Sequence, residues 1–175
     1  MSIRWMTPLM AAVGVAASLS TLSAHALDSD ARQPIRVSAG QLQLDDRTGS
    51  ATYSGSVHIE QGSMKLDADQ VVLTRSAAGG LASMRAIGKG KRAYIEQLPS
   101  PQEGLVKGWG DTIVYTAASR KVELIGHAEL HRGTDIFTGA YVQYLMNTRQ
   151  VQAQGAGKHN AGSGRIEMTI SPDAR

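Results

Sequence analysis

The chain has no cysteine. Thiolate metal sites and a cysteine nucleophile are therefore excluded, and stability must come from packing and backbone pairing. Aromatic residues make up 5% of the sequence, with a single Phe and two Trp, so platforms for stacked bases or sugars are scarce. Charge of one sign is scarce too: the formal charge is +3, and Lys89, Lys91 and Arg92 are the only local basic cluster. A dedicated nucleic-acid binder needs a clustered basic face with aromatics among it, so no nucleic-acid partner is expected. No Gly-x-Ser-x-Gly, phosphate-loop or dinucleotide fingerprint occurs, and Gly88-Lys89-Gly90-Lys91 lacks the spacing and hydroxyl of a phosphate loop. No segment of helical length carries a 3.6-residue apolar stripe.

What is present begins with an export signal. Arg4 supplies the positive start, Leu9 to Leu22 is an uncharged apolar stretch, and Ala24-His25-Ala26 fits a small-x-small cleavage site. The stretch is short and diluted for a bilayer span of about 20 residues. Cleavage after residue 26 leaves 149 of the 175 residues, enough for one domain over 27–175, and removing Arg4 lowers the formal charge to +2.

Along the mature chain apolar residues recur at period two, as in Ala51-Tyr53-Val57-Ile59, Val122-Leu124-Ala128-Leu130 and Ile166-Met168-Ile170. Turn formers separate these runs at 45–49, 61–62, 78–80, 132–133 and 147–149, which predicts a succession of antiparallel hairpins. Displacing the sequence by 71 residues superposes Leu42, Leu44, Ala51, Tyr53, Gly55, Val57, Ile59 and Gly62 on Ile113, Tyr115, Val122, Leu124, Gly126, Ala128, Leu130 and Gly133. Two related halves follow, at about 36–75 and 107–146. Each reads apolar-x-apolar-x-Gly-x-apolar-x-apolar-x-x-Gly, then apolar-x-small-x-x-apolar-x-apolar. One strand face is apolar while the other carries residues such as His58 and Glu60, or Glu123 and Glu129. An all-β fold results, with two antiparallel sheets enclosing the oily faces. Gly55 and Gly126 interrupt strand patterns, where glycine marks a bulge or a bend between sheets. Residues 99–104 should form a surface loop, and 155–164 a flexible connection before a last strand at 165–170.

Candidates for chemistry are few. His127 and His131 lie four apart, about 13 Å along a strand, and read as solvated residues. Asp45-Asp46 falls in a turn and Asp67-x-Asp69 flanks a strand without the ligand series of a calcium loop. No catalytic residue, metal site or cofactor is expected, and the chain does not read as an enzyme. A carbohydrate-binding or adhesin-like β-sandwich is the alternative, but Trp109 is the only Trp left after signal removal.

Gln33-Pro34-Ile35-Arg36-Val37, Tyr53-Ser54-Gly55-Ser56-Val57-His58-Ile59-Glu60-Gln61-Gly62 and Leu66-Asp67-Ala68-Asp69-Gln70-Val71, with their second copies and the ending Arg165 to Pro172, resemble the periplasmic lipopolysaccharide-transport family LptA with its OstA-like domain. The resemblance implies an open V-shaped β-jellyroll with a hydrophobic interior, located in the periplasm. It implies lipopolysaccharide as ligand, its acyl chains in the groove, and a bridge from inner to outer membrane. Ile35, Val37, Leu44, Tyr53, Val57, Ile59, Leu66, Ile95, Tyr115, Leu124, Leu130 and Phe137 are expected to point inward. Of these, Ile35, Ile95 and Tyr115 match positions lining the family's groove. With little Phe available, aliphatics and Met should line most of it. Lys89, Lys91 and Arg92 are candidates for headgroup phosphates, against a plainer reading as a solvated turn. Open edges at Ile35, Arg36, Val37 and at Ile166, Met168, Ile170 invite head-to-tail self-association. The resemblance places an inner-membrane transport component at the N-terminal edge and an outer-membrane translocon at the C-terminal edge. Mass spectrometry of the exported protein should give Leu27 as the first residue; Met1 retained in a membrane fraction would contradict the signal assignment.

Overall fold

A computed structural model describes residues 30, 33–99, 104–155 and 165–170. The expected signal segment lies outside the described residues, as does most of the 155–164 connection. Twelve strands occupy the described residues: β1 (Arg36–Ser38), β2 (Gln41–Asp45), β3 (Ser50–Gln61), β4 (Met64–Arg75), β5 (Leu81–Ile87), β6 (Ala93–Gln97), β7 (Val106–Gly110), β8 (Thr112–Thr116), β9 (Lys121–Arg132), β10 (Asp135–Leu145), β11 (Gln150–Gln154) and β12 (Glu167–Thr169). The last strand is thus shorter than the 165–170 expected from the sequence.

Every pairing is antiparallel, and each of the four long strands pairs with another long strand along one edge and divides its other edge between two shorter strands. The early part of β3 pairs with β2 and its later part with β1. The early part of β4 pairs with β6 and its later part with β5. The same division recurs in β9, between β8 and β7, and in β10, between β12 and β11. One surface runs β1-β3-β4-β6-β7-β9-β10-β12 and the other β2-β3-β4-β5-β8-β9-β10-β11, joined along a crease through the long strands.

The crease has a local cause. Gly55 and Ser56 together face the single residue Asp69, because the register steps from Ser54↔Gln70 to Val57↔Ala68. Gly126 and His127 likewise face Ala140 alone. Such a two-against-one bulge bends its strand and increases twist. In both bulges the glycine is left-handed, with φ 83° at Gly55 and 72° at Gly126, and the next residue is left-handed as well. That conformation disfavours a side chain. The step also reverses face parity on the partner strand: Leu66 and Ala68 point inward before the crease of β4, Val71 and Leu73 after it. The x-x gap in the sequence pattern is this parity step.

The 71-residue repeat is a repeat of topology. Strands β2 and β3 become β8 and β9 at an offset of 71, and β4 becomes β10 with its start at the same offset. The pairings β1·β3, β2·β3, β3·β4, β4·β5 and β4·β6 recur as β7·β9, β8·β9, β9·β10, β10·β11 and β10·β12. The halves meet through β5·β8 on one surface and β6·β7 on the other.

The core lies between the surfaces. Paired inward residues form continuous rows, such as Val37-Ile59-Leu66-Ile95-Gly108-Leu130-Phe137-Met168. The facing row is Leu44-Ala51-Leu73-Met84-Tyr115-Val122-Tyr144-Val151. Ile59, Leu66, Leu124 and Leu130 are fully enclosed, each contributing about 2 kcal/mol by burial. Pro99, expected on a surface loop, is buried instead and borders a small cavity together with Ile95, Val106 and Leu130. Residues 100–103 lie outside the described residues.

Crease and turn glycines should differ in tolerance. A Cβ at Gly88 would sit 2.1 Å from the Lys91 carbonyl oxygen, whereas one at Gly79, φ 85°, meets nothing within 4 Å. Gly88→Ala should cost about 3 kcal/mol by overpacking and Gly79→Ala about 1 kcal/mol from backbone conformation alone, as read by chemical denaturation.

Candidate functional site: an apolar groove with two open ends

The strands run from the crease to two lips of turns. One lip carries the turns β2/β3, β4/β5, β8/β9 and β10/β11; the other carries β3/β4, β6/β7 and β9/β10. Near the middle, Met64 and Gln97 from one surface meet Met84, Tyr115, Arg120 and Met146 from the other around a cavity of about 60 Å³, with Ile95 on its wall. At the N-terminal end a wider opening of about 270 Å³ is lined by Ile35, Val37, Leu44, Tyr53, Leu73 and Arg75. Burial pushes the Tyr115 hydroxyl above its ordinary pKa.

The inward candidates divide by position. Val57, Ile59, Leu66, Ile95, Leu124, Leu130 and Phe137 are buried in the core. Tyr53, Val37 and Tyr115 are half-buried and pack against it. Ile35, 39% exposed, and Leu44, 61% exposed, stand at the open end, where among the described residues no further strand covers the row. Met168 at the opposite end is 49% exposed for the same reason. Ile95 and Tyr115 share one cavity, whereas Ile35 belongs to the wider opening. The inward list left out Met84 and Met146, and also Met64, which alternates with Leu66 and Ala68 on the apolar phase, although the scarcity of Phe pointed to methionine as a lining. It also left out Val71, Val142 and Tyr144, which follow the x-x gap or its second copy, and Ile113 on β8.

The basic cluster lies elsewhere. Residues 88–92 cross the crease between β5 and β6, and the Lys89 N–H donates to the Asp69 carboxylate. Lys91 and Arg92 line an outward-facing pocket with Asp67, Tyr94 and Trp109. Tyr94 and Trp109 alternate with the inward residues Ala93, Ile95 and Gly108, so they occupy the outer face. Arg92 donates to the His127 carbonyl at 2.9 Å and to Glu129 at 3.0 Å. Lys89, Lys91 and Arg92, the candidates for headgroup phosphates, thus lie at the crease, away from both lips. Trp109 is wedged between Tyr94, at a centroid distance of 5.1 Å, and His131, at 4.8 Å, rather than offered as a sugar platform.

The remaining polar candidates are engaged in the scaffold. The Asp45 carboxylate accepts the N–H groups of Arg47 and Thr48, closing a turn. Asp67 holds His58 Nδ1 at 2.7 Å, and Glu60 holds Nε2 at 3.2 Å; these hydrogen bonds raise the His58 pKa. His127 bonds Asp111 at 2.8 Å and His131 bonds Glu129 at 2.6 Å. Burial alone would raise the pKa of Glu129, but His131 and Arg92 hold it below the usual range. Burial and a bond to Glu123 push the Tyr141 hydroxyl up to about 12. No cluster of three or more metal-ligating side chains occurs among the described residues.

Comparison with known proteins agrees with this architecture. Residues 36–150 match the family model described as LptA/(LptD N-terminal domain) LPS transport protein. The lipopolysaccharide export system protein LptH of Pseudomonas aeruginosa is 36% identical over 172 residues, covering 97% of each chain. The lipopolysaccharide export system protein LptA of Escherichia coli K12 is 32% identical over 135 residues, covering 77% of this chain and 71% of the relative. The crystal structure of LptH, described as the LptA-homologous periplasmic component of the lipopolysaccharide transport device of P. aeruginosa, superposes with a TM-score of 0.73. It covers 82% of this chain and 99% of that one. The architecture is accordingly the β-jellyroll expected from the sequence, and the chain belongs to the LptA/(LptD N-terminal domain) LPS transport protein family.

Proposed function

We propose that this chain is a non-enzymatic periplasmic carrier that holds the acyl chains of lipopolysaccharide between its two sheet surfaces and forms part of a bridge between the membranes. The observation that carries the reading is the pair of inward apolar rows, which cross the whole molecule and emerge uncovered at both edges. Acyl chains gain about 0.8 kcal/mol per methylene removed from water, and an aliphatic, methionine-rich wall supplies that without aromatic geometry. Ile35, Ile95 and Tyr115 are the proposed lipid contacts, with Val37, Leu44 and Tyr53 beside them at the N-terminal opening. No cofactor takes part.

Head-to-tail assembly extends the groove, and the internal repeat supplies its register. The halves join through Ile95↔Gly108 in β6·β7 and Met84↔Tyr115 in β5·β8. Met168 pairs with Phe137 as Ile95 pairs with Leu66, and Val151 pairs with Tyr144 as Met84 pairs with Leu73. Subtracting the repeat of 71 residues carries Gly108 to Val37 and Tyr115 to Leu44. A second copy should therefore dock with Val37 opposite Met168 and Leu44 opposite Val151, covering the exposed ends of both rows. Such a contact is heterologous and open-ended, so unlike family members can terminate it. An inner-membrane transport component is proposed at the β1–β2 edge and an outer-membrane translocon at the β11–β12 edge.

A photo-crosslinking residue at Tyr115 or Ile35 should label lipopolysaccharide, while one at Val114, on the outer face, should not; equal labelling at Val114 would sink the groove reading. Cysteines at Val37 and Met168 should give disulfide-linked oligomers under mild oxidation, and a pair displaced by one residue, at Arg36 and Met168, should give far fewer. Equal yields from both pairs would refute this register.

A further inference from the structure

We propose that Asp30 is a latch on the groove: docked on the turn between β3 and β4, its carboxylate closes the central cavity to acyl chains, and lipid enters only when Asp30 lifts away. The proposal rests on the acyl-chain reading above and adds to it a device that opposes loading.

Asp30 precedes β1 in the chain, and the β3/β4 turn is shaped to receive it. The Ser63 hydroxyl donates to the Asp30 carboxylate and accepts the Leu98 N–H at 3.1 Å. Gln97 Nε2 donates to the same carboxylate oxygen at 3.5 Å. The backbone is pinned beside it: the Gln33 N–H donates to the Asp30 carbonyl at 2.9 Å, and Gln61 Nε2 donates to the Gln33 carbonyl at 3.1 Å. Gly62 leaves room for this approach, since a Cβ there would overlap the carboxylate and stand 3.0 Å from the Asp30 Cα.

The internal repeat supplies a comparison. Gly133 holds the equivalent place in the turn between β9 and β10, with a φ of 59° against 58° at Gly62. Among the described residues nothing lies within 4 Å of a Cβ at Gly133. That turn carries its own ion pair, Arg132 with Asp135 at 3.3 Å, whereas Gln61, Gly62 and Ser63 are uncharged. The first turn, unlike the second, has a side chain from elsewhere in the chain seated on its glycine.

Docking and lipid compete for one space. Asp30 lines the central cavity together with Met64, Ile95 and Tyr115. Arg120, in the β8/β9 turn of the opposite lip, is the other charged residue of that lining among the described residues, so opposite charges stand at the cavity from its two lips. With Asp30 docked the cavity measures about 60 Å³, whereas a ligand pocket needs about 300 Å³ or more. A carboxylate left against an acyl chain would also lose its water without gaining a partner. Occupation by lipid and docking of Asp30 are therefore mutually exclusive. Release costs little, because Asp30 is half-buried and Ser63 and Gln97 hold it as neutral donors. The methionines beneath then repack around a chain.

The chain has no native cysteine, so the pair Asp30→Cys and Gly62→Cys can lock the latch with a single disulfide. The exported, mature chain is titrated with fluorescently labelled lipopolysaccharide. Oxidising the double variant should abolish binding, and reduction should restore it. Asp30→Ala and Gly62→Ala should each bind about tenfold more tightly than wild type, as for a site closed about nine-tenths of the time. Gly133→Ala, with the same backbone strain, should bind as wild type does. A locked chain that still binds would overturn the latch, as would failure of the pair to oxidise, which removes the docked position. Weaker binding by Asp30→Ala would make Asp30 part of the lipid site, and unchanged binding would make it a tether alone; either outcome ends the proposal. If neither wild type nor Asp30→Ala binds, the acyl-chain reading falls, and the latch with it.

Discussion

A backbone count of two residues against one is the constraint on which this molecule depends. At Gly55–Ser56 and again at Gly126–His127, the bulged strand must pass through left-handed conformations while its partner steps a single residue. Without the bulge, β3, β4, β9 and β10 would continue as flat ladders and leave one oily face in water. With it, each strand bends and its two parts find different neighbours. The inward face is preserved on β3 and β9 and exchanged on β4 and β10, so apolar residues converge from both surfaces.

The same bend explains why the interior is a groove with open ends. A closed barrel abolishes its edges by joining first strand to last, whereas here β1 and β2 stand at one end and β11 and β12 at the other. Among the described residues nothing closes the rows of inward side chains, and Leu44 and Met168 near their ends are left exposed as a direct result. Because each half already joins the other through β5·β8 and β6·β7, one molecule contains a worked instance of the junction proposed between molecules. Edge exposure and groove continuity are two aspects of one topology.

Polar chemistry is divided between the outer face and the lips. On the outer face, carboxylates are matched by cations, imidazoles or tyrosines: Lys65 with Glu96, Arg92 with Glu129, Tyr141 with Glu123. Exposed pairs of this kind contribute modestly, about 0–1 kcal/mol each. Their larger effect is to leave the outer face without an apolar strip that could compete with the groove. Even the bulky pair Tyr94 and Trp109 is tied down there by its neighbours.

Much of this was legible along the chain, because period-two alternation, turn formers and a repeat at 71 residues are local signals and strand pairing between sequence neighbours preserves them. Alternation marked Val57, Ile59, Leu66, Leu124 and Leu130 as inward, and Gly55 and Gly126 as bends. The sequence by itself thus determined an all-β chain of two like halves, its core face and the position of its crease. Tertiary structure decided which side of the crease each charge occupies. Lys91 and Arg92 are near the groove lining in sequence, yet the crossing from β5 to β6 turns them outward. Asp30, Ser63 and Gln97 are far apart in sequence, yet the pairing of β4 with β6 brings them together at one lip. Face parity is set residue by residue, but adjacency across a sheet follows from pairings over tens of residues, which no local pattern encodes.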